Sequence, residues 1–308
     1  MKAFVTGCAG FIGSHLVDTL LEKDFEVIGI DCFTDYYSKK IKETNISDAK
    51  NHKNFKFIND DILNIKQFPE VDYVFHLAAQ AGVRASWGKS FEIYTKNNVE
   101  ATQQLLEFYK KSKIKKFVYS SSSSVYGDAK LPMKEDSLLK PFSPYGVTKL
   151  AGENLSYLYY RNYNVPTISL RYFTVYGPRQ RPDMAIHKFF KAMSEGKEIT
   201  IFGDGTQTRD FTYVSDAVSA NLLAAESKIK GEVFNVGGGS RISVNELVKI
   251  MEKNSGKKAN IKNIETQKGD VKDTLADVSK GKKLLGWNPK IDIHKGVEKQ
   301  YNWMQQFL

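Results

Sequence analysis

Three glycines in the stretch Gly7-Cys8-Ala9-Gly10-Phe11-Ile12-Gly13 follow the apolar run Lys2–Thr6 directly and open the amphipathic run Ile12–Glu22. A strand that turns through glycines into a helix constrains this chain more than any other feature. The glycines allow a tight turn and close approach to a ligand. The helix start offers free amides and a positive dipole end to an anion. Asp31 ends the second apolar run, Phe25–Ile30, where a carboxylate accepts hydrogen bonds from ribose hydroxyls and repels a 2′-phosphate. Together these features indicate NAD rather than NADP, bound by Gly7, Gly10, Phe11, Ile12, Gly13 and Asp31.

The same alternation continues along the first half. Phe55–Ile58, Tyr73–Leu77, Phe117–Ser120 and Thr167–Leu170 read as buried strands, and Ile93–Lys111 and Tyr145–Arg161 as helices. Near-continuous apolar strands between helices indicate an α/β fold, a Rossmann-like doubly wound parallel sheet covered on both faces. Beyond Arg171 the elements shorten and Gly, Pro, Asp and Arg become frequent. Val214–Ala225 and Val233–Val236 read as a return to the main sheet. The expected division is a cofactor domain over 1–172, with 205–238 returning to it. A smaller interleaved α/β substrate lobe takes 173–204 and 239–308.

Composition excludes more than it assigns. The net charge is +10, yet the lysine pairs are scattered along the chain and form no basic arm, so charge by itself decides nothing between an anionic small substrate and nucleic acid; the expected partner is the small substrate, with no nucleic acid. No run is long and apolar enough for a membrane span. Met1 leads straight into the first strand with no signal peptide, so a cytoplasmic setting is expected. Cys8 and Cys32 cannot complete a metal site; none is expected, and both read as half-buried residues beside the glycine loop.

Ser143-Pro144-Tyr145 with Lys149 is the most informative catalytic stretch. Ser143 suits an N-cap and Pro144 the first helical position, which puts Tyr145 in the first turn. Lys149, four residues on, shares its helix face. A free tyrosine has a pKa near 10. A nearby ammonium, the positive helix end and an oxidised nicotinamide favour the phenolate, making Tyr145 a candidate base. The hydroxyl-rich strand end Tyr119–Ser124 lies between this stretch and the glycine loop.

These segments, with His76-Leu77-Ala78-Ala79 and Arg171-Tyr172-Phe173-Thr174-Val175-Tyr176-Gly177, resemble the extended short-chain dehydrogenases, in particular UDP-sugar 4-epimerases. The resemblance covers essentially the whole chain. It implies that Ser122 hydrogen-bonds the sugar O4 and that Lys149 holds the nicotinamide ribose. It also implies that Asp61 and Ile62 flank adenine, and that Leu77, Ala78, Ala79, Asn97 and Tyr172 lie at the cofactor. The implied reaction has Tyr145 take the proton from the 4-hydroxyl while NAD takes the C4 hydride. The 4-keto sugar then turns over and the hydride returns to its other face, so NAD stays tightly bound and is not consumed. Related dehydratases and decarboxylases carry a carboxylate where this chain has Ser123 and Ser124, which disfavours those reactions.

The resemblance extends to the substrate. Arg209 matches an arginine on the UDP pyrophosphate, and Thr200 and Phe202 match a segment flanking uracil. The family usually has Arg-Pro-Gly-Asp ending at Asp270, whereas this chain reads Gln267-Lys268-Gly269-Asp270, with Lys268 a substitute point charge. A lysine of the galactose-type enzymes corresponds to Ala81. Phe173–Met184 and Ala81-Gly82-Val83-Arg84 look most like UDP-glucuronate 4-epimerases. That assigns Thr174 and Arg181 to the uronate carboxylate, with Val83 and Arg84 beside the substrate. Thr274 matches a gate position where a small residue admits UDP-N-acetylglucosamine. A homodimer is implied, built on the helices Asn97–Lys111 and Tyr145–Arg161 with Leu150, Leu155 and Leu158 as apolar surface.

Overall fold

The computed structural model describes residues 1–267 and 269–307, so Lys268, the substitute charge before Asp270, lies outside the described residues. Six strands form in the first half: β1 Lys2–Thr6, β2 Glu26–Ile30, β3 Phe55–Ile58, β4 Tyr73–His76, β5 Lys116–Ser122 and β6 Thr167–Tyr172. The remainder are β7 Thr174–Tyr176, β8 Glu198–Phe202, β9 Thr208–Tyr213, β10 Glu232–Val236, β11 Arg241–Ser243 and β12 Asn260–Ile264. Seven of them make the central sheet in the order β10-β6-β5-β4-β1-β2-β3, every pair parallel. This is the doubly wound sheet expected from the alternation.

Strand alternation splits the core into two. Val5, Phe75, Val118 and Ile168 face a cluster with Leu16 and Leu20 of the helix Phe11–Glu22 and Ala217 of the helix Val214–Glu226. Phe4, Val74, Phe117 and Tyr119 face the opposite way, onto Leu105, Leu106 and Tyr159 of the helices Ala101–Tyr109 and Pro144–Tyr163. Residues of both parities are buried, which is why these strands read as continuous apolar runs. The strand order reverses between β1 and β4, and a crevice opens there at the carboxyl ends of the strands.

Within 205–238, β10 pairs with β6 in the main sheet, while β9 pairs with β7 and β11 in a three-stranded sheet. Strands β8 and β12 form a separate parallel pair.

The structure differs from the expectations at three places. The expected helix Ile93–Lys111 is interrupted: Phe91–Thr95 and Ala101–Tyr109 are α-helical, and a π turn occupies Lys96–Glu100. Single π turns are characteristic of functional sites, where they re-aim side chains. Strand β5 runs two residues past Ser120, because Ser121 and Ser122 pair with Arg171 and Tyr172 of β6. Cys8 is fully buried and Cys32 exposed, so neither is half-buried. Among the described residues no helix is long and apolar enough to cross a membrane.

Candidate active site

The glycine loop is built for close approach. Gly7 holds φ +67°, and a Cβ there would lie 2.7 Å from the Ala78 amide nitrogen. A Cβ on Gly13 would lie 2.1 Å from the Gly7 carbonyl oxygen. Only glycine permits this packing of strand end on helix start. Gly10 sits at the N-cap of the helix Phe11–Glu22 and no side chain caps it, which suits an anion at its leading amides. The Asp31 carboxylate accepts from the amides of Ala9 (3.2 Å) and Phe33 (2.9 Å), while burial raises its pKa.

One cleft at the strand carboxyl ends gathers Gly7, Gly10, Phe11, Ile12, Gly13, Asp31, Asp61, Ile62, Leu77, Ala78, Ala79, Asn97, Tyr145, Lys149 and Tyr172. All the cofactor candidates thus share a wall of one cavity. The π turn divides the labour of two adjacent asparagines. Asn97 lines the cleft, while buried Asn98 bonds both the Gln80 backbone (N 2.7 Å, O 3.0 Å) and the Thr148 hydroxyl (2.9 Å). The cleft also holds Tyr36, Tyr37 and Lys42, from the loop and short helix after Asp31, which sequence reasoning missed.

The helix that carries the candidate pair starts as its sequence dictates: the Ser143 hydroxyl accepts from Gly146 N at 3.1 Å and Pro144 occupies the first turn. Tyr145, Lys149 and Glu153 then follow at four-residue spacing on one face. The Lys149 ammonium lies 4.9 Å from the Tyr119 ring centroid. Burial pulls its pKa down to about 7, with Glu153 opposing. Burial raises the Tyr145 pKa, and the Ser122 hydroxyl and the Arg181 charge pull the other way.

Behind the pair lies a buried ionic network that sequence reasoning did not find. Glu153 accepts from Ser121 Oγ (2.7 Å), from Arg171 Nε (3.0 Å) and from Arg171 Nη2. Arg171 Nη1 donates to the Tyr126 hydroxyl (2.7 Å) and the Glu135 carbonyl (3.0 Å). The helical spacing from Lys149 to Glu153 was the available signal. The partner on β6 was not locally encoded.

The substrate candidates divide into groups. Arg181 lines the same cleft as Tyr145. Ser122 ends β5 and accepts from Ser124 N at 3.2 Å, with Ser123 and Ser124 in the turn that follows. Thr174 is partly exposed at the start of β7. Arg84 pairs with Asp270 (2.7 Å) and stacks 3.8 Å from the Phe202 ring centroid, so it joins the segment matched to uracil and not Arg181. Thr200 is exposed two residues before Phe202 on β8. Gly269, beside Asp270, approaches Val83.

Arg209 donates to the carbonyls of Thr208 (2.9 Å) and Lys272 (2.8 Å). Its neighbour Asp210 is occupied by the amides of Gly238 (2.6 Å) and Ala276 (2.9 Å). Thr274 is buried, and its hydroxyl accepts from Asp210 N at 3.1 Å.

Residues 4–300 match the family model described as GDP-mannose 4,6 dehydratase. An uncharacterised UDP-glucose epimerase of Bacillus subtilis is 43% identical over 99% of this chain and 98% of its own. The chain belongs to the NAD-dependent epimerase/dehydratase family. The crystal structure of UDP-glucuronic acid 4-epimerase from Bacillus cereus, in complex with UDP-glucuronic acid and NAD, covers 100% of both chains at 46% identity and TM-score 0.97. A UDP-N-acetylglucosamine 4-epimerase from Methanobrevibacter ruminantium M1, in complex with UDP-N-acetylmuramic acid, covers 100% of this chain and 99% of its own. Its identity is 34% and its TM-score 0.92. Family membership accounts for the convergence of the glycine loop, Tyr145 and Lys149 on one cleft.

Proposed function

We propose that this chain is an NAD-dependent UDP-sugar 4-epimerase that acts on UDP-glucuronate. The observation that carries the reading is one cleft holding the glycine loop, Tyr145, Lys149 and Arg181 together. The family relatives that bind NAD and UDP-glucuronic acid support it. The cradle fits NAD: Gly7 and Gly13 leave no room for a side chain, and Asp31 supplies a ribose acceptor. When bound, NAD accepts the hydride from C4 and returns it.

The chain's own residues hold and move the proton. Tyr145 accepts the 4-hydroxyl proton and later returns it, Ser122 orients O4, and Lys149 positions the nicotinamide ribose. Arg181 and Thr174 receive the uronate carboxylate, and Arg209 with the Arg84–Asp270–Phe202 group receives the nucleotide diphosphate end. The 4-keto sugar rotates between the two transfers. Hydroxyls at Ser123 and Ser124 leave no carboxylate to remove a C5 proton, which argues against dehydration despite the family model's description.

UDP-N-acetylglucosamine is a second substrate on this reading, motivated by the small Thr274. The reading extends to a homodimer working in the cytoplasm. Leu150 and Leu155 pack inward, so the dimer face rests on the exposed Ile93, Val147, Tyr157 and Leu158.

The test is a panel of UDP-glucose, UDP-N-acetylglucosamine and UDP-glucuronate with products resolved by NMR. C4-inverted products are expected, and Tyr145→Phe is expected to lose about 10²–10⁴ in rate while retaining NAD. A 4-keto-6-deoxy or pentose product contradicts the reading, as does tight RNA binding without sugar turnover.

A further inference from the structure

We propose that Tyr36, Asp183 and Arg181 form a positioning relay that presents one face of the Arg181 guanidinium to the substrate carboxylate, an inference that rests on the uronate reading above. Asp183 grips Arg181 side-on: Nε donates to Oδ1 at 2.9 Å and Nη2 to Oδ2 at 2.9 Å. Guanidinium carries five N–H donors in a rigid plane. The side-on fork leaves both hydrogens of Nη1 and the outer hydrogen of Nη2, which together make the end-on face that meets a carboxylate bidentately. Among the described residues Asp183 is the only hydrogen-bond acceptor of the Arg181 side chain.

Asp183 is itself held in place. Its Oδ2 accepts from the Tyr36 hydroxyl at 3.1 Å, and the Arg181 guanidinium carbon lies 5.6 Å from the Tyr36 ring centroid. The phenol fits because residue 82 has no side chain: a Cβ there would lie 2.4 Å from the Tyr36 oxygen, and Gly82 holds φ +106°. Tyr94 fixes that turn by donating to the carbonyls of Ala81 (2.9 Å) and Gly82 (2.8 Å). Three segments distant in sequence therefore converge on one arginine: the loop after Asp31, the loop after β4 and the turn after β7.

The relay has two consequences. Arg181 is oriented before substrate arrives, so binding does not bear the cost of ordering it. Its charge is also balanced, so a neutral sugar does not strand a naked cation in the cleft. Preference for a uronate then resides in the aim of the guanidinium and not in excess positive charge.

The experiment uses the full-length, NAD-loaded protein and compares Asp183→Asn, Tyr36→Phe and Asp183→Glu with wild type. Asp183→Asn is expected to raise KM for UDP-glucuronate about tenfold, with kcat changed by less than about threefold. The Kd for UDP, which has no carboxylate, is expected to stay put. Tyr36→Phe shifts the same KM by about threefold, and Asp183→Glu restores part of the loss. Should Asp183→Asn fail to fold, Tyr36→Phe carries the test alone. An unchanged or lowered KM for UDP-glucuronate overturns the relay, and so does a parallel rise in the Kd for UDP. If wild type turns over UDP-glucuronate while these variants leave KM unmoved, only the relay falls; if wild type epimerises no UDP-sugar, the reading beneath it falls.

Discussion

In the proposed mechanism Tyr145 acts as a base, although its own protein surroundings raise its pKa by burial. The opposing pulls come from Ser122 and Arg181, so the residue proposed to meet the uronate carboxylate also bears on the proposed base. Lys149 is buried beside it and its pKa is drawn down to about 7. That depression makes a thermodynamic prediction with a definite sign. Between about pH 7 and the ordinary lysine value near 10.4, the unfolded chain holds a proton on Lys149 that the folded chain has released. The unfolded state binds more protons there, so stability rises with pH across that window and levels off below it. Urea melts of the NAD-free protein at several pH values between 7 and 10 are expected to show a shallower rise for Lys149→Met than for wild type. Buried Lys116, pulled to about 8, contributes equally to both and cancels in the difference. Identical slopes would mean that Lys149 keeps an ordinary pKa.

At the scale of elements, the glycine loop and the catalytic helix were legible because each is locally encoded. Ser143, Pro144 and Asn164, the last at φ 58°, punctuate one helix without help from the rest of the chain. The buried strands were legible for a related reason: a parallel strand covered on both faces has no polar side to interrupt it. The π turn at Lys96–Glu100 was not legible, since helical periodicity carries on through Asn97 and Asn98 and only their partners across the fold reveal it. Arg84 and Asp270 meet across 186 residues of sequence, and no local pattern encodes such a pairing. The loop supports a sharp prediction. Gly13→Ala places a methyl 2.1 Å from the Gly7 oxygen, so NAD content after purification is expected to fall below a tenth of wild type, about 1.4 kcal/mol or more. Retention of full NAD content would show that the loop can open without loss of its ligand geometry.

For the whole molecule, the parallel sheet delivers its strand ends to one crevice, while the turn after β7 brings Arg181 into that crevice from the second half of the chain. Within the segment 205–238, β9 pairs with β7 and β11 while β10 pairs with β6, pairings between distant segments that no local pattern encodes. The exposed apolar face across Ile93, Val147, Tyr157 and Leu158 predicts that Leu158→Glu shifts sedimentation from dimer toward monomer; a wild-type monomer at micromolar concentration would remove the proposed assembly. The most direct measurement follows the hydride. UDP-glucuronate labelled with deuterium at C4 is converted by the NAD-loaded protein, and the product is read by NMR. The account predicts inverted C4 with the deuterium still on that carbon, since the same bound cofactor removes and returns it. Loss of the label to solvent, or its retention without inversion, would contradict the account.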